Sequence, residues 1–506
     1  MTLLLSPVWL LANFHTGDGP SHLYNAYVLK SLLIEPDSFY NNFFQLHLQA
    51  VPNAIVPFLL AGCMAFTSSV YATKIVVTII LLVFVTGYSS MARAFLKEEN
   101  SFPVVILLLV YCYPLRMGLY SFILGLGVMM FVFACYVRNK ENWTTKTIFI
   151  FSFLFIVTWF SHLFAFAVLL LLIFIYEAVK GCLLISEGQG LKKFGYDAFR
   201  KFIALIPAII LLLLFLKESV DVTKTIYIEK AVLKRWLLDL EVMFNFGTDA
   251  EFIIRKIFYL LIVGALVLLL LKKGSVRPWA LFFLSATMIV HLLFYFLMPA
   301  NLFSGGSINF RFAYLLLIMV CFTIDLGISY GLPGIVKMLL VGVGVYFATT
   351  NEYKMLQPAS DDIAELLIAS DHIKEKTIVL PLNYLNDNFE YNILLYLAYD
   401  KDILILDNAE AATPNGLVTW RKDFWHPELI GDYLVSNTPL IQIQEFERQS
   451  GKKIDYVLRW SWKPDIKDTS TLQVNNLVDS LFVPVFKSHS GKATMFLRKG
   501  FITNGY

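Results

Sequence analysis

Apolar residues crowd the first 350 positions in runs too long for a water-soluble fold. After residues 1–14 they occupy about 51–68, 72–96, 103–115, 119–137, 147–160, 162–178, 201–216, 256–271, 279–298, 311–330 and 333–350. Inside lipid an open chain satisfies its backbone only as helix, so with the first segment these predict about 12 transmembrane helices. Residues 1–14 lack a basic start and a small-residue cleavage site, and are expected to form a short first helix rather than a cleavable signal.

Short basic loops set the expected orientation. Residues 138–146, 180–201 and 272–277 are rich in Lys and Arg, which puts them in the cytoplasm. Loops 15–49, 217–255 and 299–310 and the C-terminal region then fall outside. Residues 50–137 must cross an odd number of times, yet they hold four apolar segments. The surplus is placed within 103–137.

Two outer loops carry amphipathic patterns. In 15–49, Pro20 suits a first helical turn, and Leu23, Tyr24, Tyr27, Val28 and Leu32 line one face, with His22, Asn25 and Lys30 elsewhere. This predicts a helix lying in the membrane interface. In 217–255, Val232, Leu233, Trp236, Leu237 and Leu240 repeat the pattern beside Lys230, Lys234 and Arg235.

From residue 351 the pattern changes. Residues 377–384, 402–408 and 455–460 read as strands, 390–399 and 439–450 as helices, and 482–500 as a hairpin turning at Ser490-Gly491. The expected fold is a multi-pass α-helical membrane protein followed by a small C-terminal α/β domain over 351–506.

Composition sharpens that division. The chain is 58% hydrophobic and 16% charged, against about 25% charged in a typical soluble protein. Residues 1–350 hold 25 basic and 17 acidic side chains, whereas the last 156 hold 16 and 21. The boundary near 350 is thus a change of solvent. The five cysteines lie in or beside apolar segments, which excludes a disulfide in the soluble part and CxxC metal spacing. Neither a phosphate loop nor a GxGxxG after a strand is present; LGLG at 124–127 lies inside a membrane helix, where glycine serves close packing.

Asp18 is the leading chemical candidate. It follows the first helix in a Gly-Asp-Gly-Pro turn, flanked by His15 and His22. A carboxylate there can take a proton from an acceptor hydroxyl, hold a divalent ion, or merely cap the next helix. His22, four residues on, can bind phosphate, tune Asp18, or lie on the surface. Arg311 is isolated: residues 278–310 contain no Asp, Glu, Lys or Arg. It can meet a lipid phosphate or snorkel to headgroups. Arg116 is also alone among apolar residues, facing the same cavity or snorkelling. His162, between two charge-free segments, lines a cavity or bonds a neighbouring helix. Glu229, Asp239, Glu241 and Asp249 in the second outer loop contact an acceptor or form a solvated face. LDNAEA (406–411) ends a strand where α/β folds place binding residues, and Asp407 and Asn408 there either bind or cap.

A short first helix followed by an acidic residue opening a large first outer loop resembles the GT-C superfamily of membrane glycosyltransferases. DGPSH (18–22) looks similar to the D-x-P-x-H turn of some bacterial GT-C-like proteins. The resemblance implies a catalytic Asp18, a polyprenyl-phosphate-linked sugar donor, inverting transfer to a glycan, lipid or protein acceptor, no nucleic-acid partner, and a bacterial cytoplasmic membrane. His22, Arg311, Arg116 and His162 are the implied contacts of the lipid phosphate. Many members carry two acids in the first loop; here Asp-Gly-Pro lacks the second, which weakens a divalent-cation role and leaves the base role on Asp18. Two alternatives stay open. A transporter of lipid-linked saccharide would use lone intramembrane charges, here Lys74, Arg116 and Asp325, although no inverted repeat is seen. A non-catalytic assembly factor would tolerate changes at Asp18 and depend on 402–411.

Overall fold

A computed structural model describes residues 2–49, 51–95, 105–139, 143–186, 191–218, 225–241, 249–271, 278–302, 306–331, 334–385, 387, 389–413, 416–430, 442–462 and 469–501. Six helices among them are long and apolar enough to cross a membrane: Ser69–Phe95, Tyr120–Arg138, Leu163–Ser186, Ala198–Lys217, Trp279–Leu297 and Ile308–Asp325. Helices Asp249–Leu271 and Gly334–Ser370 match two further apolar segments, and Thr145–Ser161 a shorter one.

The parity conflict of residues 50–137 resolves away from where it was expected. Helices Ser69–Phe95 and Tyr120–Arg138 pack side by side in the same direction. A Cβ at Gly87 would sit 2.0 Å from the Gly127 carbonyl oxygen, so the glycine of the LGLG run permits this contact. Farther along, Phe95 meets Phe133, and Arg138 donates to the Ser90 carbonyl at 3.1 Å. Parallel neighbours require the chain to return between them. It returns through a 3₁₀ turn, Val105–Leu109, and a four-residue helix, Tyr113–Arg116. At one end Val105 N–H donates to Asp325, which also accepts from Tyr88 OH at 2.7 Å. At the other, Gly17 N–H donates to the Arg116 carbonyl at 2.8 Å. Irregular backbone at membrane depth survives only when wrapped by protein, and nearly all of this stretch is buried. Residues 105–116 therefore traverse without forming a regular helix. The surplus is 51–68, whose helix Ile55–Met64 has 10 residues and reaches only about 15 Å.

The boundary at 350 is not a break. Helix Gly334–Ser370 runs through it for 37 residues and enters the C-terminal domain. There five strands form one sheet: β2 (Thr377–Asn383), β3 (Ile403–Ile405), β5 (Tyr456–Trp460), β6 (Phe482–Lys487) and β7 (Ala493–Arg498). Their order is β3-β2-β5-β7-β6, with β2 parallel to β3 and β5, and β7 antiparallel to β5 and β6. The expected strands and terminal hairpin are all present. Residues 393–398 form a 3₁₀ helix in place of the expected α-helix, and Ile443–Ser450 is helical; 439–441 lie outside the described residues.

The first long loop, residues 15–49, packs against this domain. β1 (Phe44–Leu46) pairs antiparallel with β4 (Val418–Trp420), and Phe44 stacks on Trp420 at 4.2 Å. Helix Gly19–Ile34 buries Leu23, Tyr24, Asn25, Ala26, Val28, Leu29 and Ser31, which face several directions. The interfacial position expected for it is thereby corrected. Small and apolar residues surround the helix axis, so it packs on all sides. Tyr24 OH donates to the Ile403 carbonyl and accepts from Ile405 N–H, both at 3.1 Å, which fixes the helix against β3. In the second outer loop Lys230–Leu238 is helical, with Leu233 buried and Lys234 and Arg235 exposed, as the pattern required.

Candidate functional site

Asp18 occupies the N-cap position of helix Gly19–Ile34, yet its side chain makes no capping hydrogen bond. Its backbone is αR (φ −90°, ψ −5°), not the extended form in which a cap reaches its helix. The capping alternative therefore fails. The backbone around it is pinned instead: Asp18 N–H donates to the Met117 carbonyl at 2.9 Å, and the Asp18 carbonyl accepts from His22 N–H at 3.0 Å. Gly118, at φ +79°, allows this approach, since a Cβ there would lie 2.7 Å from Gly19 N and 2.8 Å from Asp18 N. From residue 13 to residue 21, Asp18 alone is not buried. One carboxylate oxygen receives Asn392 Nδ2 from the C-terminal domain, at a long 3.3 Å.

His22 and Glu410 complete this corner. His22 Nδ1 lies 3.0 Å from Glu410 Oε2, and Nε2 lies 3.1 Å from the Gly118 carbonyl oxygen. Ser21 Oγ donates to the same Glu410 oxygen at 2.9 Å. Asn25 and Asn408 exchange two side-chain hydrogen bonds of 2.9 Å beneath them. Asn408 thus locks the domains together, and it also accepts from Ala411 N–H. Burial disfavours charge on His22, but the charge and hydrogen bond of Glu410, aided by Asp18 and the Gly118 carbonyl, push it up to about 9. Burial would raise Glu410; His22 and Ser21 outweigh it and hold the carboxyl below its usual range. Burial raises the Asp18 carboxyl, the His22 charge opposes this, and Glu410 adds to it. His15 is a structural counterpart, fully buried with Nε2 2.9 Å from the Phe389 carbonyl; burial lowers it to about 4 against that bond and the Asp387 charge.

With both nitrogens committed to protein oxygens, His22 has no donor left for a lipid phosphate. The phosphate contact expected of it would require one of these two bonds to be given up. Arg116 is corrected more sharply. Its guanidinium is 3% exposed and bonds Glu251 at 2.6 Å and Glu352 at 2.8 Å. A buried arginine needs such partners. The triad ties the return segment to helices Asp249–Leu271 and Gly334–Ser370, directly below the carbonyls that hold Gly17 and Asp18.

Arg311 and His162 form a second cluster. The Arg311 guanidinium lies over the rings of Phe122 (5.6 Å) and Phe164 (5.9 Å), and its buried Nε has no hydrogen-bond partner. His162 breaks the chain between helices Thr145–Ser161 and Leu163–Ser186 and packs edge-on against the same two rings. Neither is hydrogen-bonded or ion-paired to Asp18 among the described residues. An unpaired guanidinium among aromatic rings suits an anion arriving from outside the protein.

No group of three His, Cys, Asp or Glu among the described residues could hold a metal ion. The described groups around Asp18 therefore offer no three-residue ligand set for a divalent cation. Lys74 Nζ donates to the Leu11 carbonyl at 2.8 Å, closing the end of the first helix.

The chain is similar over 99% of its length to a crystal structure of ArnT from Cupriavidus metallidurans bound to undecaprenyl phosphate, covering 96% of that chain at 9% identity with a TM-score of 0.52. No protein-family model matches the chain, and no curated protein matches it in sequence. The similarity spans the helical module and the C-terminal domain together, so this chain shares the overall fold of that structure.

Proposed function

We propose that this protein is an inverting glycosyltransferase, moving a sugar from a polyprenyl-phosphate donor to an envelope acceptor on the outer face of a bacterial cytoplasmic membrane. The observation that carries the proposal is Asp18: a carboxylate at a helix N-terminus that caps nothing and alone reaches solvent from a buried turn, in a GT-C fold. The undecaprenyl phosphate bound to ArnT supports a polyprenyl carrier.

Asp18 accepts the proton of the acceptor hydroxyl. The acceptor oxygen bonds the anomeric carbon as the bond from that carbon to the phosphate oxygen breaks, with inversion. The phosphate leaves with the electron pair, and Arg311, beside His162, meets its charge. Stabilising developing charge with a preset cation is commonly the largest contribution to such a step. No step is assigned to a metal.

The transporter alternative loses its support at the lone charges. Lys74 holds a backbone carbonyl, Arg116 two glutamates, and Asp325 Tyr88 and Val105. The test is incubation of purified protein with radiolabelled polyprenyl-phosphate sugars and candidate acceptors. Label should leave the lipid phase; binding of a donor with no consumption across the panel would return the transporter reading.

A further inference from the structure

We infer that Glu410, brought in by the C-terminal domain, is a positioning residue of the transfer site: it holds His22 as an imidazolium, and that cation keeps Asp18 available as an ionised base. This rests on the reading of Asp18 as the base.

The partners dictate the protonation of His22. A carbonyl oxygen only accepts, and so does an ionised carboxylate. His22 meets one at each ring nitrogen, Gly118 O at 3.1 Å and Glu410 Oε2 at 3.0 Å. Both nitrogens therefore carry hydrogens, and the ring is a cation. The groups facing it are Asp18 one turn back, Glu410 from the C-terminal domain, the Gly118 carbonyl and, at 5.7 Å, the Tyr120 ring. Ser21 and the Asn25–Asn408 pair fix where Glu410 stands.

The consequence falls on Asp18. It is half-buried and shares its corner with a second carboxylate, and both conditions favour the protonated acid. A protonated Asp18 cannot take the acceptor's proton. Among the described residues, the cation that opposes both effects is His22, so its charge favours the ionised base. Glu410 lies 388 residues away in sequence from the histidine it holds. The first loop alone does not complete the site; the soluble domain supplies the second acid that Asp-Gly-Pro omits.

Two readouts separate this from a tethering role. In ¹⁵N-histidine NMR of the full chain in detergent, the wild-type His22 signal, identified by its loss in His22→Gln, should titrate near 9. Glu410→Gln should move that midpoint down by about two pH units, and a midpoint at the ordinary histidine value in wild type overturns the proposal without any variant. In the transfer assay Glu410→Gln should lower kcat about tenfold at about pH 8, where its His22 is neutral, and recover to within about threefold at about pH 6, where His22 recharges. Equal loss at both pH values, with the titration unmoved, means that Glu410 only ties the domains together. If wild type transfers no sugar, the NMR titration still decides the couple, and the failure belongs to the base role of Asp18.

Discussion

Two clusters in this molecule have the same charge composition and opposite characters. Arg116 lies between Glu251 and Glu352; His22 lies between Asp18 and Glu410. Each is one cation with two carboxylates. In the first all three side chains are 3% exposed or less, whereas in the second His22 and Glu410 are 22% and 30% exposed. Arginine cannot release its proton in a protein, and it binds both acids directly. Histidine can release its proton, and it leaves Asp18 without a direct bond. On the proposed mechanism the closed cluster is scaffold and the open one is the reactive corner, and they are adjacent: Arg116 gives its side chain to the triad and its carbonyl to Gly17. What separates the two clusters is not the residue types but which carboxylate lacks a direct bond to its cation.

The largest expected difference is in activity. Asp18→Asn should lower kcat about 10²- to 10⁴-fold while leaving the thermal melting point nearly unchanged, since the side chain caps nothing. Arg116→Met should do the reverse. It abandons two buried carboxylates and costs about 3–5 kcal/mol of stability, read as a lower melting point in detergent. If Arg116→Met melts like wild type, the triad is not the scaffold described. Between these, Asn408→Ala leaves Asn25 without its buried amide partner and should cost about 1–3 kcal/mol, visible as faster proteolysis of the C-terminal domain.

A smaller effect should follow from pH. His22 is raised to about 9, so its contribution is fully present below its ordinary 6.5 and is lost as pH rises through 9. His15 is lowered to about 4, so its contribution is present above 6.5 and is lost as pH falls through 4. Both histidines touch the C-terminal domain, so docking should be firmest near pH 6.5. A melting point that climbs steadily from pH 6.5 to 9 would contradict the His22 assignment. The smallest effect expected is that of chelation: EDTA should leave transfer unchanged within about twofold, because the corner around Asp18 does not suit a metal.

Much of this was legible in the sequence, and the failures share a cause. Apolar runs, the positions of the strands, the terminal hairpin and the close-packing glycine at 127 follow from local pattern. Asp18 stands out because a charged residue in a Gly-Asp-Gly-Pro turn is a local signal. The residues that were missed answer it from far away. Glu410 lies in the LDNAEA turn, flagged as a binding position, but nothing local prefers it over Asp407 or Asn408. Glu251 lies in the first turn of an apolar helix and Glu352 just past the apolar run 333–350, and only the fold brings them to Arg116. Periodicity likewise shows that helix 19–34 has an apolar face, not that a domain nearly 400 residues on covers the other faces. The 51–68 run misled because hydropathy counts apolar residues and not how far the element they form can reach; its helix, Ile55–Met64, has 10 residues.

The central claim is that Asp18 is the base of a sugar transfer. The most direct measurement is transfer from a radiolabelled polyprenyl-phosphate sugar by wild type and Asp18→Asn, purified side by side with matched melting points. The account predicts label in the acceptor with wild type and almost none with the variant, while both bind the donor. Transfer by Asp18→Asn at the wild-type rate would contradict it.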